Sequence, residues 1–283
     1  MGQGSTSING PHQGAWVELS SGESWFIHFQ DQDAYGRVVH LQPMTWKNAF
    51  PVIGIDNDGD GKGEPVIRYK KPNVGRDYPK DTPQTSDEFS SNALGLQWQW
   101  HANPQPTWGF PFGNLGVFRL NCISLPDECK NFWDVPNLLL QKFPANEFTA
   151  TTKVNCSLHS GGEKVGLIIM GTNYAYLSLE VRDRKLYVSQ SVCLNADRGG
   201  EEVEMNVGQI HNKNIYLRAS ISREAECTFS YSIDGWTYSA LGGSFKAMPG
   251  RWIGAKVGLF SVGTTSANDA GYADFDWFRI EKP

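Results

Sequence analysis

The clearest group of side chains that could do chemistry is a run of alternating aspartates, Asp56, Asp58 and Asp60, followed by a glycine. Oxygen ligands at positions 1, 3 and 5 with a glycine at the turn match the first half of a calcium-binding loop. The bidentate glutamate of position 12 is missing, because Ile67 stands there. The motif therefore predicts either a calcium site or an acidic, glycine-rich turn between two strands.

A second pair of carboxylates, Asp274 and Asp276, alternates with aromatic residues in the segment ADFDWF. Alternate residues of a strand point to the same face of a sheet, so both side chains are expected on one face. Two acidic groups side by side indicate either a bound cation or a solvent-facing pair at a sheet edge.

Tryptophan is abundant, with 10 residues in the 283-residue chain. An indole face stacks on the apolar face of a sugar ring, so tryptophans beyond the needs of the core are typical of carbohydrate sites. Trp98 and Trp100 alternate along a predicted strand, whereas Trp108 lies in a proline-rich loop. Packing in an ordinary sandwich core is the alternative for the two alternating tryptophans, and Trp108 is the better candidate for a sugar contact.

The bulk composition excludes several classes of partner. The net charge is −5 and no basic run occurs, which argues against nucleic acid binding. No stretch is long and apolar enough to span a membrane. Residues 1–10 do not resemble a signal peptide, which indicates a cytoplasmic protein or a secreted one whose signal lies upstream.

Five widely spaced cysteines are present, without a Cys-x-x-Cys motif. Their number and spacing argue against a zinc site and a disulfide framework. We expect buried free thiols, with a loop closed by Cys122 and Cys129 as the alternative.

The elements that must position these residues are strands. GAWVEL at 14–19, SWFIHFQ at 24–30 and GRVVHLQ at 36–42 predict an antiparallel meander. PVIGI at 51–55 and PVIRY at 65–69 are predicted to continue it. These residues amount to about one propeller blade and a strand or two more, and a blade buries its face only against neighbouring blades.

The second half of the chain predicts a different architecture. Residues 71–86 have no apolar period and are interpreted as a linker. Many short strands follow, including IYLRASIS at 215–222 and ADFDWFRI at 273–280, and PNLLLQK at 136–142 is predicted to be a helix or loop. This spacing favours a sandwich of two antiparallel sheets.

Two blocks of sequence carry a family resemblance. INGPHQGAWVEL at 8–19 and the segment 22–66, with GRVVHLQP and DGDGKGEPV, resemble the final propeller blade of glycoside hydrolase family 43. This family contains β-xylosidases and α-L-arabinofuranosidases. LGLQWQWHANP at 94–104 and GYADFDWFRI at 271–280 resemble the concanavalin A-like C-terminal sandwich of its two-domain members.

The resemblance implies an all-β chain in three parts. Residues 1–70 would form the final blade of a partial five-bladed β-propeller, 71–86 a linker and 87–283 a concanavalin A-like β-sandwich. The family's catalytic aspartates and general-acid glutamate lie on earlier blades, to which this sequence shows no match. We therefore expect no catalytic residue in this chain, and Glu18, Glu23, Asp31 and Asp33 are interpreted as surface or turn residues.

The resemblance also assigns residues to a sugar site. His12, in the motif GPHQG with Gln13, would face the propeller axis near a central water or calcium ion. Arg37 would reach the substrate sugar, since a guanidinium offers a fixed fork of donors to neighbouring hydroxyls. Trp108 would contact the sugar or pack at the domain border.

Sandwiches of this type also suggest a structural calcium held by Asp274 and Asp276 with Asp87 near the start of the domain. With Asp56, Asp58 and Asp60, these residues form the predicted metal ligands, and calcium is the only cofactor expected.

Two functions follow as hypotheses. The first is a glycoside hydrolase of the β-xylosidase or α-L-arabinofuranosidase type, acting on xylan or arabinan side chains and oligosaccharides, of which this chain is a fragment without the general base and general acid. The second is a non-catalytic carbohydrate-binding or accessory β-sandwich protein. Whether the chain alone is an enzyme stays open, and a xylo- or arabino-oligosaccharide is the expected partner in both cases.

Overall fold

A computed structural model describes residues 1–10, 13–159, 161–264 and 270–283. The chain divides into two compact units. Unit 1 comprises Met1–Gln32 and Arg37–Thr82, and unit 2 comprises Asp33–Gly36 and Pro83–Pro283. Among the helices of the described residues, none has the length and apolar character needed to cross a membrane.

Unit 1 contains one four-stranded antiparallel sheet in the order β1-β2-β3-β4. Its strands are β1 Gly14–Glu18, β2 Ser24–Asp31, β3 Arg37–Lys47 and β4 Phe50–Ile53. The β-branched and aromatic residues of these segments favour strands, and Gly22 with a φ of 83° allows the tight turn between β1 and β2. The meander predicted from the first four apolar runs is therefore present.

The segment PVIRY at 65–69 was predicted to be a strand and does not form one. Instead, the backbone N–H of Val66 donates to Oε1 of Gln42, at 2.7 Å. The nearby pairing is limited to an isolated bridge between Ile55 and Glu64. The N–H of Val66 is therefore satisfied by a side chain rather than by a neighbouring strand.

Unit 2 is a sandwich of two eight-stranded sheets. Its strands are β5 Gln99–Trp100, β6 Gly109–Phe112, β7 Val117–Asn121, β8 Ile123–Ser124, β9 Leu139–Lys142, β10 Phe148–Ser157, β11 Lys164–Met170, β12 Tyr174–Arg182, β13 Lys185–Cys193, β14 Glu202–Ile210, β15 Asn214–Ile221, β16 Glu226–Ser232, β17 Ser239–Ala240, β18 Phe245–Lys246, β19 Lys256–Gly263 and β20 Tyr272–Glu281. Short 3-10 turns span Asp33–Tyr35, Phe132–Asp134 and Ala196–Arg198.

We call the two sheets of unit 2 sheet I and sheet II. Sheet I has the order β17-β16-β15-β10-β20-β7-β6, with β18 paired to β16. Sheet II has the order β14-β13-β12-β11-β19-β9-β5, with β8 paired to β19. The main core lies between the sheets, where Leu217 and Phe275 of sheet I meet Leu177 and Leu259 of sheet II, all fully buried.

A second apolar cluster covers the opposite face of sheet II. Phe132 and Leu138, from the segment before β9, lie in this cluster with Ile168, Tyr176 and Phe260. Strands buried on both faces are apolar at consecutive positions rather than at alternate ones. This explains the unbroken run KVGLIIM in β11.

One further prediction about local structure differs from the structure, and another agrees with it. PNLLLQK was predicted as a helix or loop, whereas Leu139–Lys142 form β9 between β19 and β5. The run is apolar at consecutive positions because Leu139 faces the main core and Leu140 the second cluster. Cys122 and Cys129 form no disulfide, and all five cysteines are free thiols, as the default prediction has it.

The division into units also differs slightly from the expected boundaries. Asp33–Gly36, inside the predicted first region, cluster with unit 2. The hydroxyl of Tyr35 donates to the carbonyl of Ser222 at 2.6 Å and accepts from the N–H of Ala225 at 2.8 Å. The carbonyl of Ala34 accepts from the N–H of Ala255 at 2.7 Å. These bonds place this short segment in the hydrogen-bond network of unit 2.

Candidate functional site

The sheet of unit 1 positions the first group of predicted sugar-binding residues. Gln13 is exposed and directly precedes β1, and His12 lies outside the described residues. In register, Gly14 stands opposite His28, and Arg37 stands opposite Asp31 at the end of the β2–β3 pair. Gln13 and Arg37 are therefore at the same end of this sheet.

Arg37 is held by neighbours on β2. Its Nε lies 3.3 Å from Oδ1 of Asp31, and its guanidinium lies 4.4 Å from the centre of the Phe29 ring. An ion pair and a ring face together orient the guanidinium. About a third of the side chain of Arg37 is exposed, at 32%, so solvent reaches part of it.

A histidine pair in the same sheet was interpreted from sequence as structural. The rings of His28 and His40 lie 5.3 Å apart on paired positions of β2 and β3. Within the described residues, neither buried Nε2 has a hydrogen-bond partner. Burial, and secondly the proximity of His28, lowers the pKa of His40. Pairing the two predicted strands around their turn would have placed these histidines together.

The acidic loop of unit 1 brings its three aspartates together. One oxygen from each of Asp56, Asp58 and Asp60 lies within 4.8 Å of the others. Asp56 accepts from the N–H groups of Gly59 and Gly61, at 2.9 and 3.1 Å. The N–H of Lys62 donates to Asp60 and lowers its pKa.

The chemistry of this donor set fits a hard cation such as calcium, which binds carboxylate oxygens and water. Two lysines lie close to the same oxygens. Lys47 Nζ is 3.4 Å from Asp56, and Lys62 Nζ is 3.5 Å from Asp60. These ammonium groups compensate part of the negative charge, so an ion would have to compete with them.

The second predicted metal site is not formed by its three aspartates. Asp274 makes a bidentate pair with Arg119, with both N···O distances at 2.7 Å. Asp276 pairs with Lys153. Each carboxylate thus has a cation from a neighbouring strand of sheet I, so the predicted shared calcium is wrong for these groups.

Asp87 has a structural role as well. Its carboxylate accepts from the N–H of Phe89 and from Nε1 of Trp98, both at 2.9 Å. Its backbone forms a bridge with Phe278 of β20. The interactions fix the start of unit 2 against sheet I, which is a sufficient reason for an aspartate at this position.

The tryptophans near β5 belong to the core. Trp98 is 8% exposed and packs edge-on against Phe278, with ring centres 5.0 Å apart. Trp108 is 7% exposed and packs against Trp100 at 5.5 Å. The prediction that Trp108 contacts sugar is corrected here, because a buried ring offers no face to a ligand.

Several of the described carboxylates and thiols have pKa values shifted away from those of acid–base or nucleophilic catalysts. A general acid needs a raised pKa, whereas Lys70 lowers the pKa of Glu23 and Arg279 lowers that of Glu88. Burial raises the pKa of Cys122 to about 12 and that of Cys156 to about 11. Such thiols are protonated and unreactive at neutral pH.

The fold defines an all-β protein whose second unit is a sandwich of two antiparallel sheets. Residues 86–281 match the family described as beta xylosidase C-terminal concanavalin A-like domain. The chain belongs to this family, and its second unit is a concanavalin A-like sandwich.

Two curated proteins and one solved structure are similar to nearly the whole chain. A β-xylosidase of Formosa agariphila is 32% identical over 95% of this chain and 47% of its own length. A β-xylosidase-like protein of Xylanibacter ruminicola is 36% identical over 92% of this chain and 46% of its own length. A solved bifunctional GH43-CE protein of Bacteroides eggerthii superposes with a TM-score of 0.80, at 26% identity, over 96% of this chain and 34% of its own. The chain spans about half the length of the curated relatives it matches.

Proposed function

We propose that this chain works as part of a glycoside hydrolase of the β-xylosidase or α-L-arabinofuranosidase type, acting on oligosaccharides from xylan or arabinan. The observation that carries the proposal is the continuous similarity to β-xylosidases across 92–95% of the chain, in both units. A carbohydrate is accordingly the proposed partner.

Unit 1 has the proposed role of the closing blade of a propeller. Its four antiparallel strands in meander order are the composition of one blade. Val39 and Leu41 on β3 are 68% and 43% exposed, and Trp16 on β1 is 50% exposed. Apolar side chains on a sheet are stabilised when a neighbouring blade covers them.

In this role His12, Gln13 and Arg37 would line the sugar site. Inverting hydrolysis needs one carboxyl group to activate water and another to protonate the leaving oxygen, about 6.5–9.5 Å apart. In this proposal the pair is supplied by a part of the enzyme other than this chain. Arg37 would hold sugar hydroxyls with its fork of N–H donors, and so act by positioning the substrate.

Hydrolysis assays test whether this chain positions the sugar while another part of the enzyme supplies the catalytic carboxyl groups. The chain alone is expected to release no p-nitrophenol from the β-D-xyloside or the α-L-arabinofuranoside. Mixing it with the part of the Formosa agariphila β-xylosidase that it does not match is expected to restore turnover. Arg37→Met should then abolish the restored activity, whereas the exposed Arg76→Met should not.

Two outcomes would contradict the proposal. One is turnover by the chain alone that disappears when a single carboxylate of the chain is replaced. The other is a stable mixed complex that binds xylobiose and remains inactive on every pentoside tested.

Calcium binding by Asp56, Asp58 and Asp60 is proposed as a stabilising function of unit 1. Added calcium should raise the melting temperature of the chain, and the triple Asp→Asn variant of these residues should not respond. Asp77→Asn, at an exposed position outside the loop, is the matched control. An equal shift in the triple variant would exclude this loop as the binding site.

A further inference from the structure

The outer face of sheet I carries a row of aromatic and cationic side chains. In register, Tyr216 of β15 lies opposite Lys153 of β10, which lies opposite Trp277 of β20. One step along, Arg218 lies opposite Thr151 in the same way. These side chains point away from the core and are half-buried, except for the buried Thr151.

The rings form one side of a groove. Tyr216 and Trp277 have ring centres 6.0 Å apart at an angle of 46°. Trp236 also lines this groove and is 89% exposed. The groove has a volume of about 600 Å³, within the range of small-molecule sites.

The position of Trp236 is fixed by the turn that carries it. Asp234 accepts from the N–H groups of Trp236 and Thr237, both at 2.8 Å, and these bonds lower its pKa to about 2. Gly235 adopts a φ of 82°, and a Cβ at this position would lie 2.9 Å from Cζ of Tyr216. Gly235 thus allows the turn to approach the Tyr216 ring, so the exposed Trp236 stands on a turn that is hydrogen-bonded through Asp234.

The cationic groups of the groove are largely compensated by neighbouring carboxylates and by a ring. Lys153 pairs with Asp276, and Arg279 makes two contacts with Glu88, at 2.8 and 2.9 Å. Arg218 lies 3.4 Å from the centre of the Tyr238 ring, and its Nε donates to Thr151 Oγ1 at 3.0 Å. Since these contacts leave the other donors of Arg218 available, the groove suits a neutral ligand with many hydroxyl groups.

We propose that this groove binds a neutral pyranoside oligosaccharide, with a sugar ring stacked on Trp236 and ring hydroxyls bonded to Arg218. A flat exposed indole supplies apolar contact area, and a guanidinium supplies paired donors to vicinal hydroxyls. Because the choice of a xylose chain rests on the proposed function, xylohexaose is the probe, and arabinohexaose tests the preference for pyranose over furanose rings.

Calorimetry on the full chain tests the proposal. Xylohexaose is expected to bind with saturable heat and more tightly than arabinohexaose. Trp236→Ala should weaken binding about tenfold or more, as is typical for the loss of an aromatic contact residue. Trp236→Tyr should recover most of the affinity, and Arg218→Met should weaken binding while stacking is kept.

Trp252→Ala is the matched control, because Trp252 is also a highly exposed tryptophan of unit 2, at 81%, and does not line this groove. Melting temperatures of all variants show whether a lost signal reflects unfolding; the exposure of Trp236 predicts that its removal leaves the fold intact.

Three results would overturn the inference: no saturable heat with either sugar, equal affinity in Trp236→Ala and the parent chain, or equal weakening by Trp252→Ala. None of these results would change the outcome expected from the hydrolysis assays on the mixed proteins. Conversely, Trp236-dependent binding by a chain that restores no hydrolysis would support this site and count against the proposed hydrolase role.

Discussion

The two units differ in how completely they cover their own apolar side chains. Unit 2 closes two sheets over a core in which Leu177 and Phe275 are fully buried. Unit 1 is one sheet, where Trp25 and Met44 are buried but Val39 and Phe50 are 68% and 74% exposed. A sheet gains most of its stability from apolar area removed from water. The difference indicates that unit 2 has the larger stability of its own.

The largest expected effect on stability comes from removing a side chain from the core of unit 2. Phe275→Ala should lower the free energy of unfolding by about 3–5 kcal/mol, because a fully buried ring leaves a cavity. Urea unfolding followed by tryptophan fluorescence measures the loss. Phe50→Ala in unit 1 is the control and should change it by less than about 0.5 kcal/mol. Similar losses in both variants would mean that Phe50 is buried in solution, and the comparison would fail.

Tyr35 tests where the boundary between the units lies. It belongs to the first 70 residues in sequence, yet its hydroxyl bonds to the backbone of Ser222 and Ala225. Tyr35→Phe should destabilise unit 2 by about 2 kcal/mol, because the hydroxyl's backbone partners lose a hydrogen bond. Hydrogen exchange at β15 and β16 measures the effect.

The control for this prediction is Tyr69→Phe, at a tyrosine of unit 1 that is 47% exposed. It should leave exchange in β15 and β16 unchanged. Faster exchange in β2 and β3 alone after Tyr35→Phe would place this segment with unit 1 and contradict the boundary.

Much of the strand content was predictable because local apolar patterns define it. SWFIHFQ and IYLRASIS alternate or carry β-branched and aromatic residues, and they form β2 and β15. β14 was missed, since Glu202–Ile210 expose Val203 and Met205 among charged residues at the edge of sheet II. An edge strand with a solvated face lacks the signal that identifies a central one.

The sites were harder to predict, because they depend on which strands become neighbours. The pairing of Asp274 with Arg119 joins residues 155 positions apart, through the contact of β20 with β7. The groove on sheet I likewise needs β10 to lie between β15 and β20. By contrast, the acidic loop was predictable because all of its ligands lie within five residues.

A smaller difference in stability between the units is expected from their ion pairs. The Arg119–Asp274 pair of unit 2 is bidentate and about one fifth exposed, whereas Asp31, the partner of Arg37 in unit 1, is 65% exposed. Asp274→Asn should destabilise the chain by about 1 kcal/mol. Asp31→Asn should have an effect below about 0.5 kcal/mol, because exposed pairs are screened by water.

Urea unfolding at low and high salt measures both variants. The loss in Asp274→Asn should persist at high salt, since partly buried pairs are screened less than exposed ones. Equal and salt-sensitive losses would show that the two pairs are alike, and that the tighter packing of sheet I does not strengthen its ion pair.

The smallest expected effect is the dependence of stability on pH, to which one histidine in each unit contributes. Burial lowers the pKa of His40 in unit 1, with His28 as the second cause, and burial also lowers the pKa of His101 in unit 2. An unfolded histidine has a pKa of about 6.5. As the pH falls below that value, the unfolded chain binds more protons than the folded one, so the free energy of unfolding decreases.

Replacing each histidine in turn assigns this loss to a unit. His40→Gln should make hydrogen exchange in β2 and β3 less sensitive to pH between 7.5 and 5.5, and His101→Gln should do so in β5 and β9. Because the charge of His28 is the second cause of the lowered pKa of His40, His28→Gln should raise the pKa of His40, measurable by NMR titration. An unchanged titration would mean that burial alone sets this pKa, and the histidine pair of unit 1 would then act as two independent buried groups.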